Sequence, residues 1–501
     1  MRTSHSAHTF TDTTGSTARS SSTGRSPSTD RTSSPGRAGS TAGAGSTSPQ
    51  ETALWKTDRT GHRRAALDED IAVDVAIVGA GFTGLWSAYY LLKEDPSLRV
   101  AIVEKDVAGF GASGRNGGWA SAIFPISLAR VAHFHGRTAA LDLQQAMNDA
   151  VDEIGRVSSA EGIDCDYAKD GFISLARNPA QLARARTAVR AAEDFGAHGQ
   201  MRFLDGTEAA DQVRATSVLG ATFTPHCAVI QPDHLIRGLA AWVESHSGAI
   251  YEDTPALTLE SGRVRTPGGT ISAEVVVRAT EAYTPEFPQY RREVAPLYSL
   301  VVATDPLPAD LRSDLGFDGR KAFNDMRNLR IYAQSTADGR IVFGGRGAPY
   351  HFLSRVDPRF DTDTRIHNKI VDTMHDFFPQ LRDVPIAHRW GGPLGVPRDW
   401  FPSVGLDRSR GIAWAGPYVG DGVATSNLAA RVLRNLILDK SDELNSLPIV
   451  DHRSPRWEVE PFRWVGVNAG LAAAELGDFE ERITKRPSTI SALLEKLTGA
   501  H

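Results

Sequence analysis

Val73-Asp74-Val75-Ala76-Ile77-Val78 runs without a break into Gly79-Ala80-Gly81-Phe82-Thr83-Gly84 and then into Leu85-Trp86-Ser87-Ala88-Tyr89-Tyr90-Leu91-Leu92. The first six residues are apolar and β-branch-rich apart from Asp74, as a buried parallel strand requires. The last eight carry apolar side chains at helical spacing. A second strand, Val100-Ala101-Ile102-Val103, ends at Glu104. Strand, glycine turn, helix, strand and acid therefore fall in order within one βαβ unit, the context in which a GxGxxG motif means a dinucleotide site. Gly79 permits the tight turn, Gly81 lets backbone approach a pyrophosphate, and Gly84 lets the helix pack on the strand. Phe82 and Thr83 open the helix, whose free N–H groups and positive dipole end suit phosphates. Glu104 can accept hydrogen bonds from ribose hydroxyls, with Lys105 beside it. The motif alone does not separate FAD from NAD.

The surrounding chain is that of a large globular protein. Its 501 residues correspond to roughly three domain equivalents. With 41% hydrophobic and 23% charged residues it is not a fibre, a coiled coil or a wholly disordered chain. A net charge of -5 gives no drive toward nucleic acid. Cys165 and Cys227 are the only cysteines, which excludes a disulfide scaffold and fits a reducing, cytoplasmic setting. The histidines show no metal spacing, and no metal is expected; His226 and His234 sit too near turns to judge. Residues 1–50 are rich in Ser and Thr and poor in apolar side chains, so a disordered tail is expected. The most apolar stretch, Ile71 to Leu92, is broken by Asp74 and glycines, and no membrane span is expected.

Two further glycine clusters choose between cofactors. Gly109-Phe110-Gly111-Ala112-Ser113-Gly114-Arg115-Asn116-Gly117-Gly118-Trp119 suits a backbone wrapped around a large ligand, for which an NAD enzyme has no evident need. Near the C-terminal end, Ile412 to Ala415 reads as a short strand and Val423 to Leu438 as a helix. Gly416-Pro417-Tyr418-Val419-Gly420-Asp421-Gly422 forms the turn between them. That helix start can stabilise negative charge, and Asp421 can serve as its N-cap.

With these motifs on view the chain resembles the FAD-dependent amine and amino-acid oxidoreductases of the D-amino-acid oxidase class, which includes glycine and sarcosine oxidases. Within that class it is most similar to the γ-glutamylputrescine oxidoreductase-like proteins. Trp390-Gly391-Gly392-Pro393 and Asp399-Trp400-Phe401-Pro402 carry the likeness further, over roughly residues 50–500. The resemblance implies that Gly79, Gly81, Gly84 and Glu104 hold the ADP half of FAD. It places Ser113, Arg115, Asn116 and Gly117 beside the flavin and pyrophosphate, and Gly420, Asp421, Gly422 and Val423 at the pyrimidine edge. Ala279 and Thr280 would reach the cofactor from a strand beginning near Ser272. No cysteine follows Cys227, and Asn116-Gly117 stand where some relatives carry a linking histidine, so the FAD is expected to be non-covalent.

The expected architecture is α/β, α+β overall: a Rossmann-like FAD-binding domain with an inserted antiparallel-sheet substrate domain. The FAD-binding pieces are placed at 70–125, 215–290 and 388–440, the substrate domain at 126–214 and 291–387. Strands are expected at Leu297 to Thr304, Leu329 to Ser335 and Arg340 to Gly345, the last two joined by a hairpin at Asp338-Gly339. Residues 178–195 read as a helix. A C-terminal extension, 441–501, is expected to be helical near Thr489 to Leu497 and to pack through Trp457, Phe462 and Trp464.

The implied chemistry is hydride transfer from the amine-bearing carbon to flavin N5. The imine hydrolyses to an aldehyde plus an amine or ammonia, with hydrogen peroxide formed if O2 is the acceptor. The nitrogen must be neutral to donate its lone pair, so no side-chain base is required. Glycine-oxidase-type relatives hold the substrate carboxylate with an arginine where this chain has Leu394; Arg389 and Arg398 are near but out of register. That favours a γ-glutamylputrescine-like, polyamine-type or other ω-amine substrate. An α-amino-acid oxidase or dehydrogenase using Arg398 or Arg389 stays open, as does a non-catalytic FAD-binding partner subunit. No lysine of the kind some relatives use on oxygen stands on the Arg340 to Gly345 strand, so oxidase and dehydrogenase stay open too. Trp119, Tyr298, Tyr332, Trp390, Arg398 and Tyr418 are the pocket candidates.

Overall fold

The computed structural model describes residues 53–56, 63–345 and 347–498; the Ser/Thr-rich segment 1–50, expected as a disordered tail, lies outside them. β1 (Ile71–Val78), α1 (Phe82–Glu94) and β2 (Val100–Val103) make the expected crossover. The chain continues through β3 (Trp119–Ser121), α2 (Leu128–His135), α3 (Arg137–Ala160), β4 (Phe172–Ala176) and α4 (Pro179–Asp194). Next come β5 (Arg202–Asp205), α5 (Gly206–Gln212), β6 (Gly220–Thr224), β7 (Cys227–Val229) and α6 (Pro232–Ser245). β8 (Ala249–Tyr251), β9 (Thr258–Glu260), β10 (Arg263–Arg265), β11 (Thr270–Arg278) and β12 (Ala295–Thr304) follow. After α7 (Ala309–Leu315) lie β13 (Ala322–Asp325), β14 (Ile331–Ser335), β15 (Ile341–Gly345), α8 (Thr364–Phe377) and β16 (Ile386–Val396). β17 (Val404–Asp407), β18 (Ile412–Ala415), α9 (Gly422–Ile437), α10 (Phe462–Thr484) and α11 (Thr489–Thr498) end the described chain.

Two large sheets organise these elements. The first has the order β17-β18-β11-β1-β2-β8, with β9 and β10 alongside β11. Its run from β18 to β8 is parallel. The second has the order β16-β12-β15-β14-β13-β4-β6-β5. It is antiparallel except where β13 joins β4 in parallel, the result of a long crossover between those strands. The Asp338-Gly339 hairpin forms as read: Ser335 pairs with Ile341, and Gly339 has φ +83°.

Steric closeness fixes the first crossover. Gly79 has φ +110°, and a Cβ there would stand 2.5 Å from the Ala279 carbonyl oxygen. A Cβ on Gly84 would stand 2.0 Å from the carbonyl oxygen of Gly79. α1 therefore lies against β1 as no other residue at 84 would allow, and its buried face, with Leu85, Trp86, Tyr89 and Leu92, meets α9 and α3 in the largest apolar core.

The expected piece boundaries need three corrections. β6 and most of β16, placed with the nucleotide-binding pieces, hydrogen-bond into the second sheet. α3, placed with the substrate domain, buries Leu143, Met147, Val151 and Ile154 in the core built on α1. An amphipathic segment states which face is apolar, not which sheet that face will cover. In the C-terminal extension Trp457 is buried and donates to the Val396 carbonyl (2.8 Å). Phe462 is largely exposed and Trp464 partly so, both on the long α10, which was not anticipated.

Gly84→Ala should destabilise the fold by about 1–3 kcal/mol through overpacking, measured by urea unfolding, because the Gly79 carbonyl at 2.0 Å and the Ile77 side chain at 3.2 Å resist the methyl.

Candidate active site

A cleft of about 410 Å³ runs from the C-terminal ends of β1 and β2 to the bend before α9, within the usual size range for small-molecule sites. Gly79, Gly81, Phe82 and Thr83 line one end, Glu104 and Lys105 its edge, Ser113 and Asn116 the loop side, and Ala279 and Thr280 the wall. Gly420, Gly422, Val423 and Tyr418 line the other end. Gly84 is set behind the cleft as a packing residue. The two glycine motifs thus share one cavity, and they touch: Thr83 Oγ1 and the Tyr418 hydroxyl are 3.0 Å apart.

The donors present fit a dinucleotide. α1 starts at Gly81 with no side-chain cap, which leaves a positive helix end open to phosphate. Ser113 Oγ accepts from the Phe82 N–H at 2.8 Å. The Glu104 carboxylate is fixed at the cleft edge by the N–H groups of Ala80 (2.8 Å) and Asp106 (3.2 Å). Lys105 pairs with Glu286 at 2.9 Å across the rim. α9 starts at Asp421, whose side chain makes no capping hydrogen bond, so the anticipated N-cap role is one of position only.

Glu281, the next residue after Thr280, went unremarked in the sequence. It lines the cleft and clamps two segments, accepting the N–H of Gly395 at 2.7 Å and of Tyr418 at 3.4 Å. Depth in the protein pushes its carboxyl up to about 6, against the pull of those backbone donors. Val419, in the same bend, has φ +61°, a strained conformation for a β-branched residue. Burial also pushes the Tyr418 hydroxyl far up, so it stays a proton donor.

A smaller cavity of about 90 Å³ adjoins the cleft, sharing Asn116, Leu394, Gly420 and Val423 with it. Trp119 and Tyr332 line it, stacked with ring centroids 5.9 Å apart. Gly117 and Asp421 reach it as well. So do Asn324, Arg330 and Trp400, which sequence reading did not single out. Leu394 stands between the two spaces with no cation in its place.

Several expected site residues serve elsewhere. Arg115 borders the cavity, but its guanidinium is committed to Asp361 (2.7 Å), the Tyr283 hydroxyl (2.7 Å) and the Gly391 carbonyl (3.3 Å). Tyr298 and Trp390 are core residues. The Tyr298 hydroxyl accepts from the Asp357 N–H (3.1 Å), and the Trp390 indole donates to the Arg115 carbonyl (3.0 Å). Arg398 pairs with Glu458 (3.0 Å), and Arg389 donates to Asn368 (3.1 Å). Neither borders either cavity. The loop's glycines also serve packing: a Cβ on Gly117 would meet the Tyr332 ring at 2.5 Å. His226 and His234 lie outside both cavities, and the described residues hold no cluster of three metal-ligating side chains.

A family model described as FAD dependent oxidoreductase matches residues 74–436. The chain belongs to that family. Gamma-glutamylputrescine oxidoreductase of Escherichia coli is 29% identical over 392 residues, covering 77% of this chain and 88% of that protein. The probable oxidoreductase OrdL of Rhizobium meliloti is 28% identical over 75% of this chain and 85% of its own. Among solved structures, glycine oxidase from Geobacillus kaustophilus superposes with a TM-score of 0.63 at 22% identity, over 76% of this chain and 99% of that one. The chain is therefore an FAD-dependent oxidoreductase, and the cleft brings its two glycine motifs into one cavity.

In this oxidoreductase the buried Arg115–Asp361 pair joins the cofactor loop to the second sheet. Burial pushes the Asp361 carboxyl up to about 6, while Tyr283 and Asp361 outweigh burial and hold Arg115 charged. Asp361→Asn should cost about 3–5 kcal/mol, as breaking a buried pair does, and Arg115→Met with Asp361→Leu should cost less; urea midpoints compare them. Glu281 sets a pH dependence. Its folded carboxyl holds its proton more tightly than the ordinary value of 4.5. Its stabilising contribution is therefore complete below about pH 4.5 and lost as pH rises through about 6. The thermal midpoint of Glu281→Gln should fall less than the parent's across that window, by up to about 2 kcal/mol of stability.

Proposed function

We propose that this FAD-dependent oxidoreductase oxidises a primary or secondary amine, of γ-glutamylputrescine-like, polyamine-type or other ω-amine class. Gly79, Gly81, Phe82, Thr83, Glu104, Lys105, Ala279 and Thr280 would hold the ADP half of the cofactor, non-covalently. Ser113, Asn116, Gly420, Gly422 and Val423 would hold the flavin half. When bound there, FAD supplies the hydride acceptor. The substrate loses a hydride and a proton to become an imine, and water converts that to an aldehyde and an amine or ammonia. Hydrogen peroxide forms if O2 is the final acceptor.

The observation that carries the reading is the adjoining cavity and its lining. Leu394 faces the space where a carboxylate-gripping arginine would be needed, and Arg389 and Arg398 are engaged away from it. Trp119, Tyr332, Ile123 and Phe124 give apolar walls. Such walls disfavour an ammonium and favour the neutral amine, the form with a lone pair to release. The relative named gamma-glutamylputrescine oxidoreductase supports the same class. One observation favours the second reading, an α-amino-acid oxidase or dehydrogenase: Arg330 stands at the cavity and could receive a carboxylate in place of the missing arginine.

Anaerobic bleaching of the purified holoenzyme separates them. A panel of γ-glutamyl-conjugated diamines, free polyamines and simple ω-amines should reduce the flavin, while glycine, sarcosine and D-alanine should not. Arg330→Ala should leave KM for a carboxylate-free amine within about twofold, whereas loss of a charge-assisted carboxylate contact would raise KM by about tenfold or more. Bleaching by the amino acids alone would sink the amine reading.

A further inference from the structure

The C-terminal helix α10 carries more apolar surface outward than an ordinary surface helix. Val467 packs inward beside Tyr350, Val396 and Trp457, and Ala474 is buried, but the helix's other inward contacts are polar. Arg463 donates to Glu460 (3.1 Å) and to the Arg291 carbonyl (3.3 Å). Asn468 donates to the Tyr350 carbonyl (3.0 Å), Asp478 accepts the N–H groups of Asn328 (2.6 Å) and Leu329 (2.9 Å), and Glu481 pairs with Arg184. Its outward face is apolar. Phe462, Val465, Leu476, Phe479 and Ile483 are 69%, 54%, 57%, 52% and 63% exposed, and Ala469 and Ala472 are exposed between them. Their spacing of three and four residues in alternation is the seam of a coiled coil. Helix α10 begins beyond residue 436, where the match to the oxidoreductase family ends.

The seam is also a palindrome. Counting outward from its centre, Ala469 answers Ala472, Val465 answers Leu476, and Phe462 answers Phe479. A two-fold axis sets residue i of one copy against j of the other and j against i, so such mirrored like residues would meet like across an isologous contact. Antiparallel pairing would set alanine on alanine at the axis, where the backbones come closest, and phenylalanine on phenylalanine toward each end. Half-exposed side chains of this size each offer roughly 100 Å². With the neighbouring Phe352 and Leu353, 51% and 67% exposed, the face supplies on the order of 800 Å² per copy, the amount a standard stable interface buries on each partner. The charges of α10 are Arg463, Glu475, Asp478, Glu480, Glu481 and Arg482, an acidic excess unsuited to anionic lipid.

We propose that α10 is a homodimerisation helix that pairs antiparallel with α10 of a second copy of this chain, about a two-fold axis between Ala469 and Ala472. Sedimentation of the full chain should give a species of twice the 54.1 kDa chain mass at micromolar concentration. Phe462→Glu with Phe479→Glu should halve that mass and leave the bound-flavin spectrum unchanged. Pairing direction is read from a mixture of Phe462→Cys and Phe479→Cys chains. They should cross-link to each other under mild oxidant and not to themselves, since Cys165 and Cys227 are buried. A single-chain mass at up to about 100 µM, a dimer untouched by the double glutamate, or self-cross-linking of Phe462→Cys would each overturn the proposal. So would a monomer that floats with phosphatidylcholine vesicles through this face.

Discussion

The ion pair between Arg115 and Asp361 joins the parts that must meet for a site to exist. It is buried on both sides and spans 246 residues of sequence. Arg115 sits in the glycine-dense loop that borders the cofactor cleft, and Asp361 sits in a turn against the second sheet. A charge this deep survives only if it is fully partnered, and Arg115 also has the Tyr283 hydroxyl and the Gly391 carbonyl. The loop therefore cannot drift from the second sheet without stranding a guanidinium in the interior. The cavity beside the cleft is bounded by both, so its shape depends on this one contact.

A second link works at the far end of the cleft. Glu281 accepts from Gly395, at the end of β16, and from Tyr418, in the bend before α9. Val419 donates back to the Gly395 carbonyl at 3.2 Å. Thr83 and Tyr418 then close the gap between the first crossover and the bend. Backbone strain at Val419 persists because these contacts over-determine it. The cost is met by the bend's role: it presents α9's N-terminus to the cleft.

What the sequence disclosed follows from how local each signal is. Gly79 to Gly84 and Glu104 were legible because the motif lies within one supersecondary unit, although Gly79 itself is pressed by the distant Ala279 carbonyl. The meeting of Thr83 with Tyr418, 335 residues apart, came only from resemblance. Arg115 was read as a cofactor-loop residue, but its pairing with Asp361 was not legible because nothing near Asp361 announces a partner. Trp55, on which the sequence was silent, donates to the Asn116 carbonyl at 2.7 Å, another contact without a local mark. β6 and β16 went to the wrong sheet because alternation names a buried face and not its cover. The α10 seam was present in the letters, but its inward polar contacts reach residues as distant as Arg184, so only the fold shows that the apolar face is left over.

The size of the inner cavity constrains any substrate independently of its polarity. About 90 Å³ admits roughly six to nine water-sized groups, since one water needs about 10–15 Å³ on the same measure. An amine-bearing chain end of that size fits such a space; a whole γ-glutamyl-conjugated diamine does not. The body of a long amine would therefore lie outward, along the exposed Arg330 side. On the proposed amine reading, selection would act on the chain end and its protonation, through the walls at Trp119, Tyr332 and Leu394, and the rest of the molecule would contribute affinity without touching the reacting carbon. Two amines with the same terminal group but different tails should then differ in KM more than in kcat, because tail contacts bind ground and transition states alike.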